Sequence, residues 1–304
     1  MTSVGGASLD GRTLVLTTAA LFSFALNSLL CRASLGAGLI DAPTFTLIRL
    51  ASGALVLALV ATRSATARSA APSVRERVIP ALALFLYALP FSLAYLRIPA
   101  GTGAFVIFGC VQVTMIGSDL LAGRGTAARE AIGLVLAVGG LAWLTRPGAG
   151  SPDPVGVLWM AVAGLAWGVY SIVGRTAGPP LQANARNFAA GASLALVASV
   201  LSMDTVHITP KGALLALISG AVTSGLGYVA WYAALPALTA TRASIVQLGV
   251  PPLASALGVL LLGETLNPRL FTAAPLILGG ILIAVRRPRP TGSGTPDPIH
   301  ATTR

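Results

Sequence analysis

Across 304 residues the chain is 55% apolar and only 10% charged, with a mean hydropathy of +0.83. Soluble domains average roughly 45–50% apolar and about 25% charged, so this composition excludes an ordinary soluble enzyme, a disordered chain and, with two cysteines, a disulfide scaffold. The net charge of +11 is no nucleic-acid footprint, because the 20 basic residues stand singly or in short stretches between apolar runs, where they act as orientation signals.

About 20 apolar residues cross a bilayer as a helix. Ten such stretches follow one another, at 12–31, 43–62, 78–96, 101–121, 129–144, 154–174, 181–202, 212–234, 241–262 and 269–285. The first is too long for the apolar core of a signal peptide and is followed by no clear cleavage site, so it is read as span one. Short connections rich in Pro, Gly and Arg separate the stretches, and none is long enough for a soluble domain. Residues 287–304, rich in proline, read as a disordered cytoplasmic tail. Cys31 and Cys110 both fall in apolar stretches and read as buried small side chains rather than a disulfide or metal pair.

With an even number of spans both termini share a side. That side holds 12 basic residues, including Arg63, Arg68, Arg75 and Arg77 before span three and Arg286, Arg287 and Arg289 after span ten, against 5 on the other. The positive-inside rule therefore puts both termini in the cytoplasm of a multi-pass inner (plasma) membrane protein.

The second half echoes the first. At an offset of 137 residues Pro43, Arg49, Tyr95, Pro99 and Thr102 match Pro180, Arg186, Tyr232, Pro236 and Thr239. Ser28 and Arg32 match Ser171 and Arg175, while Gly123, Arg129 and Gly139-Gly140 match Gly263, Arg269 and Gly279-Gly280. Five spans per half is an odd number, so the halves enter the membrane from opposite sides. The expected fold is all-α, ten transmembrane helices as two inverted-topology five-helix repeats, 12–145 and 154–286. Such repeats exchange inward- and outward-open shapes around a midplane site in secondary transporters.

These features resemble the EamA family of the drug/metabolite transporter superfamily. The resemblance rests on five plus five spans, Pro-x5-Arg opening the second span of each half, Gly263-Glu264 after the ninth and Gly-Gly in the tenth, and it covers about residues 12–286. Within the family, residues 87–95 with Gly-Thr-Gly-Ala-Phe at 101–105 are similar to the YddG-type aromatic amino acid exporters. The resemblance implies an exporter. The chain departs from the pattern at Gly123-Arg124, where the second half has Gly263-Glu264.

Polar and aromatic residues inside spans point to the solute site. Tyr87, Phe91 and Tyr95 recur every four residues on one face of span three, and Ser224, Tyr228 and Tyr232 are their counterparts in span eight. Asn27 in span one, Phe108 and Gln112 in span four, Trp167 and Tyr170 in span six, and Gln247 in span nine complete an expected aromatic cavity with a few amides. Packing or an interfacial belt explains such aromatics equally well, above all Tyr95 and Tyr232 near span ends. The amides are firmer, because one facing lipid would be unsatisfied. Pro90 in span three and Pro251-Pro252 in span nine are expected kinks or hinges. Arg49 and Arg186 either snorkel to the interface, pair with a helix end or attract an anionic group, and of these a structural role is the favoured reading. The glycines of spans five and ten suit close helix contact, as a scaffold or as the surface of a weak homodimer of an otherwise monomeric protein.

No His-rich, paired-carboxylate or Cys/His set lies in or beside a span, and His207 and His300 fall outside them. No catalytic residue, metal or cofactor is therefore expected. The partners expected are a small-molecule solute and the lipid bilayer, with no nucleic acid. The function read is an inner-membrane carrier exporting small organic metabolites, foremost aromatic or apolar amino acids, by uniport or exchange. Its rivals are a carrier of nucleotide-sugars, sugar-phosphates or drug-like compounds, a proton antiporter using Glu264, a channel and a membrane-embedded enzyme.

Overall fold

The computed structural model describes residues 10–63, 73–123, 127–174 and 179–285. The expected disordered tail, Arg124 and Arg175 lie outside the described residues. The helices are α1 (Gly11–Leu35), α2 (Ala42–Arg63), α3 (Val74–Tyr95), α4 (Ala100–Leu121), α5 (Ala127–Thr145), α6 (Pro154–Gly174) and α7 (Pro180–Leu201). They continue as α8 (Pro210–Ile218), α9 (Gly227–Ala234), α10 (Ala240–Gln247), α11 (Val250–Leu262) and α12 (Leu270–Val285). Among the described residues no β-strand forms, and the extended pairing is an isolated antiparallel bridge between Ile40 and Ile208.

Local chemistry sets the helix ends. The Asp10 carboxylate accepts from Thr13 N at 3.0 Å and caps α1, and hydrogen bonding from the Thr13 side chain, then from its backbone, holds its pKa below the ordinary carboxylate range. Ser73 and Glu76 form a reciprocal capping box at the start of α3. Gly123 and Gly263, each with φ near +65°, stop the helices before them in the left-handed conformation that glycine adopts without strain.

Eight segments among the described residues are long and apolar enough to cross a membrane. Large apolar side chains such as Leu55, Leu86, Leu158 and Leu260 stand exposed, an arrangement suited to lipid rather than water. This is an all-helical, multi-pass membrane protein. The helix α7 packs on α2, and the shorter α12 packs on α5.

Two former single stretches turn out to be composite. A π-helical stretch, Ser219–Leu226, joins α8 to α9, and the whole continues as Pro210–Ala237. The ninth stretch breaks at Leu248 and Gly249 into α10 and α11. Pro251 and Pro252 sit just after this break, in the first turn of α11, where their missing N–H groups forfeit no helical bond. Pro90, by contrast, is buried within a helix that continues past it.

The glycines of α5 and α12 meet each other. A Cβ on Gly133 would overlap the Gly280 carbonyl, and one on Gly280 would crowd the Gly133 carbonyl. Gly133, Gly140 and Gly280 are thus used in helix contact inside the chain, whereas a Cβ on Gly139 or Gly279 would meet nothing within 4 Å.

Candidate functional site

A cavity of about 510 Å³ lies among α1, α2, α3, α4, α6, α7, α9 and α10, inside the roughly 300–1,000 Å³ range of small-molecule sites. Nine aromatic residues are among those that line it. Tyr87 and Trp167 approach to 4.6 Å between ring centroids, and Trp167 also meets Tyr170 at 5.4 Å and Tyr228 at 5.8 Å. Tyr228 stacks on Tyr232 at 6.0 Å and takes the edge of Phe24 at 5.9 Å. The cavity runs past Tyr232 to Pro80, Gly174, Pro180 and Leu235, which share one end of the bundle.

Amides and hydroxyls interrupt the rings. Asn184 accepts from the Tyr170 hydroxyl at 2.6 Å and donates to the Tyr232 hydroxyl at 2.9 Å. Asn187 donates to the Tyr170 hydroxyl at 3.2 Å. Across the cavity the Asn27 side-chain oxygen accepts from Ser219 at 2.8 Å and Thr223 at 3.3 Å, which ties α1 to the π-helical stretch.

Among the described residues of the wall there is one cation. Arg49 is only 2% exposed. Its Nη2 donates to the Tyr87 hydroxyl at 2.6 Å and its Nε to Ser224 Oγ at 3.3 Å. The guanidinium carbon lies 5.2 Å from the centroid of Tyr87 and 4.9 Å from that of Phe91, a cation–π arrangement on two rings. Nη1 meets no hydrogen-bond acceptor among the described residues. The π-helical stretch comes close enough for this because Gly220 lies against the Arg49 carbonyl and Ser52, where any Cβ would overlap both.

At the other end of the bundle the chain is closed. Arg32 Nε pairs with Glu264 Oε1 at 3.0 Å, and Arg32 Nη1 donates to the Tyr95 carbonyl at 2.9 Å. Glu264 Oε2 accepts from Ala100 N at 2.9 Å, which satisfies a free N–H at the start of α4. Asp41 N donates to the His207 carbonyl at 2.9 Å, and Thr209 N to the Leu39 carbonyl at 2.9 Å.

Nine of the eleven residues expected at the solute site line this one cavity: Asn27, Tyr87, Phe91, Phe108, Trp167, Tyr170, Tyr228, Tyr232 and Gln247. Tyr95 and Gln112 do not. Tyr95 stands one turn beyond Phe91, fully buried, with its hydroxyl donating to the Ala100 carbonyl at 3.3 Å, so it forms part of the closed end. Gln112 is buried beside the face that α4 turns to the cavity, which carries Phe108, Val111 and Met115.

Phe24, Trp231, Asn184 and Asn187 line the wall without having been singled out for it, and so does Arg49, for which a structural role was the favoured reading. Their signal was present: polar residues in α7 one turn apart and an arginine two turns into an apolar helix. The two matched arginines part company, since Arg49 is buried and Arg186 is exposed.

The profile of the EamA-like transporter family matches residues 154–286. An uncharacterized protein of Pseudomonas aeruginosa is 47% identical over 274 residues, covering 90% of this chain and 94% of its own length. In three dimensions the chain is similar to a protein of known crystal structure, with a TM-score of 0.65 at 21% identity, over 89% of this chain and 98% of the other; that likeness speaks to the fold.

Proposed function

The chain belongs to the EamA-like transporter family, and from that premise we propose that it is an inner-membrane carrier exporting small organic solutes, foremost amino acids with aromatic or apolar side chains, by alternating access. The observation that carries this reading is a cavity with aromatic walls that reaches one end of the bundle and is shut from the other by the Arg32–Glu264 pair. The rings supply flat apolar area, with stacking worth about 0.5–1.5 kcal/mol per pair, and the amides set orientation.

Two inverted repeats, 12–145 and 154–286, are supported by how helices exchange partners. The contacts of α6 with α3 and α4 have counterparts in those of α1 with α9 and α11, and α2 on α7 and α5 on α12 pair equivalent spans. Gly123 and Gly263 end matched helices with the same positive φ. The basic bias of 12 against 5 supports cytoplasmic termini; the cavity then reaches the cytoplasmic end.

Uniport or exchange is favoured over proton antiport, because Asp, Glu and His are absent from the described lining residues and Glu264 is engaged in the seal. That Arg49 is the one cation among the described lining residues also argues against phosphorylated solutes, which call for several cations. The test is counterflow in proteoliposomes. Internal unlabelled L-phenylalanine should accelerate uptake of labelled L-phenylalanine severalfold, with no added effect of a pH gradient. Uptake without such acceleration sinks the carrier reading in favour of a channel, and accumulation driven by the pH gradient sinks uniport.

A further inference from the structure

We propose that Arg49 is the seat of a carboxylate on the solute, whose apolar body lies against Tyr87, Trp167 and Tyr228. The inference rests on the carrier reading and names the chemical class that the cavity takes. Arg49 is 2% exposed and belongs to the cavity wall. Its two bonded partners, Tyr87 and Ser224, are neutral hydroxyls, so the positive charge is held in place without being neutralised. Nη1 is buried with no acceptor among the described residues, and an unpaired donor on a buried cation is costly.

Asp and Glu are absent from the described residues of the wall, so no carboxylate among those residues competes for the guanidinium. A solute carboxylate that reaches Nη1, or replaces the Tyr87 or Ser224 hydroxyl on the guanidinium, gains a charge-assisted bond. The rings of Tyr87 and Phe91 hold the guanidinium at 5.2 and 4.9 Å, so little ordering remains to be done on binding. Tyr87 also touches Trp167 at 4.6 Å, so a solute held there meets aromatic surface at once. Equally, the described wall offers no anion to an ammonium group. The carboxylate, rather than the amine, is therefore the charge that decides affinity. An apolar acid without an amine should bind at least as well as the matching amino acid.

The experiment uses the purified full chain in detergent and reads tryptophan fluorescence, since Trp167 and Trp231 line the cavity. The probes are 3-phenylpropionate and its neutral isostere 3-phenylpropanamide. The acid should bind about thirtyfold more tightly, the size of one charge-assisted hydrogen bond. Arg49→Gln, checked for monodispersity, should abolish that preference, and Arg49→Lys should keep part of it. Equal affinities in the wild type, no saturable quenching by the acid up to about 10 mM, or a preference that survives in folded Arg49→Gln each overturns the seat. Should Arg49→Gln fail to fold, the acid-to-amide ratio of the wild type decides alone. Because the comparison reads binding, it holds whether or not counterflow is observed.

Discussion

The two ends of the bundle are built from different bonds. At the closed end the polar contacts run between the two halves of the chain. Arg32 reaches Glu264, Glu264 receives Ala100 N, and the Leu39–Asp41 stretch pairs with the His207–Thr209 stretch. Midway, beside the cavity, Asn27 holds Ser219 and Thr223 and Arg49 holds Ser224, again between the halves, whereas nearer the mouth Tyr170 and Tyr232 share Asn184 and Asn187 supports Tyr170 within the second half. The halves are thus latched to each other at one end, while near the cavity mouth the second half is braced against itself. The rocking that the proposed carrier requires would be resisted by the latch together with the Asn27 and Arg49 bonds, and least at the mouth.

The strongest way to break this contrast is steric. A Cβ at Gly212 would overlap the Leu39 carbonyl, so Gly212→Ala should force the closed end apart, at about 1–3 kcal/mol for overpacking. The readout is native Cys31, which is fully buried at that end. In a Cys110→Ser background, its labelling by a membrane-impermeant maleimide should rise tenfold or more. Unchanged labelling would mean that this end is not closed by that contact.

A gentler break is electrostatic. Glu264→Gln keeps an acceptor for Ala100 N but removes the charge facing Arg32. The pair is partly exposed, with side-chain accessibilities of 25% and 13%, so solvent screening limits the loss to about 1 kcal/mol. Cys31 labelling should then rise about fivefold. A larger rise from Glu264→Gln than from Gly212→Ala would reverse the ranking of charge and fit.

The smallest effect is expected at the mouth. A Cβ on Gly174 would meet nothing within 4 Å, so Gly174→Ala should leave counterflow and Cys31 labelling unchanged and raise helix stability by up to about 1 kcal/mol. A marked loss of flux would show that the mouth is as tightly fitted as the closed end.

The matched tyrosines show where sequence reading stops. Tyr95 and Tyr232 occupy equivalent places by spacing, yet Tyr95 plugs the closed end and Tyr232 lines the cavity. Arg49 and Arg186 repeat the lesson, one buried on two aromatic rings and the other exposed. In each pair the chemistry is the same and only the surroundings differ. The aromatic ladder of α3 was legible from its spacing as far as Tyr87 and Phe91. It failed at Tyr95 because the start of α4 closes over that ring, with Gly103 lying flat against it.

Sequence alone settled what depends on runs of residues: the membrane class, the extents of the apolar helices to within a few residues, and the family. Those follow from the bilayer's thickness and from glycine, proline and capping chemistry, all of which are local. Tertiary structure decided which face of each helix turns inward. In lipid the outer and inner faces are both apolar, so no hydrophobic gradient along the chain marks the difference. It also put the break of the ninth stretch just before Pro251 rather than at it, and a π-helical stretch against Arg49. Both depend on how closely one backbone is allowed to approach another, which becomes defined only once the helices are packed.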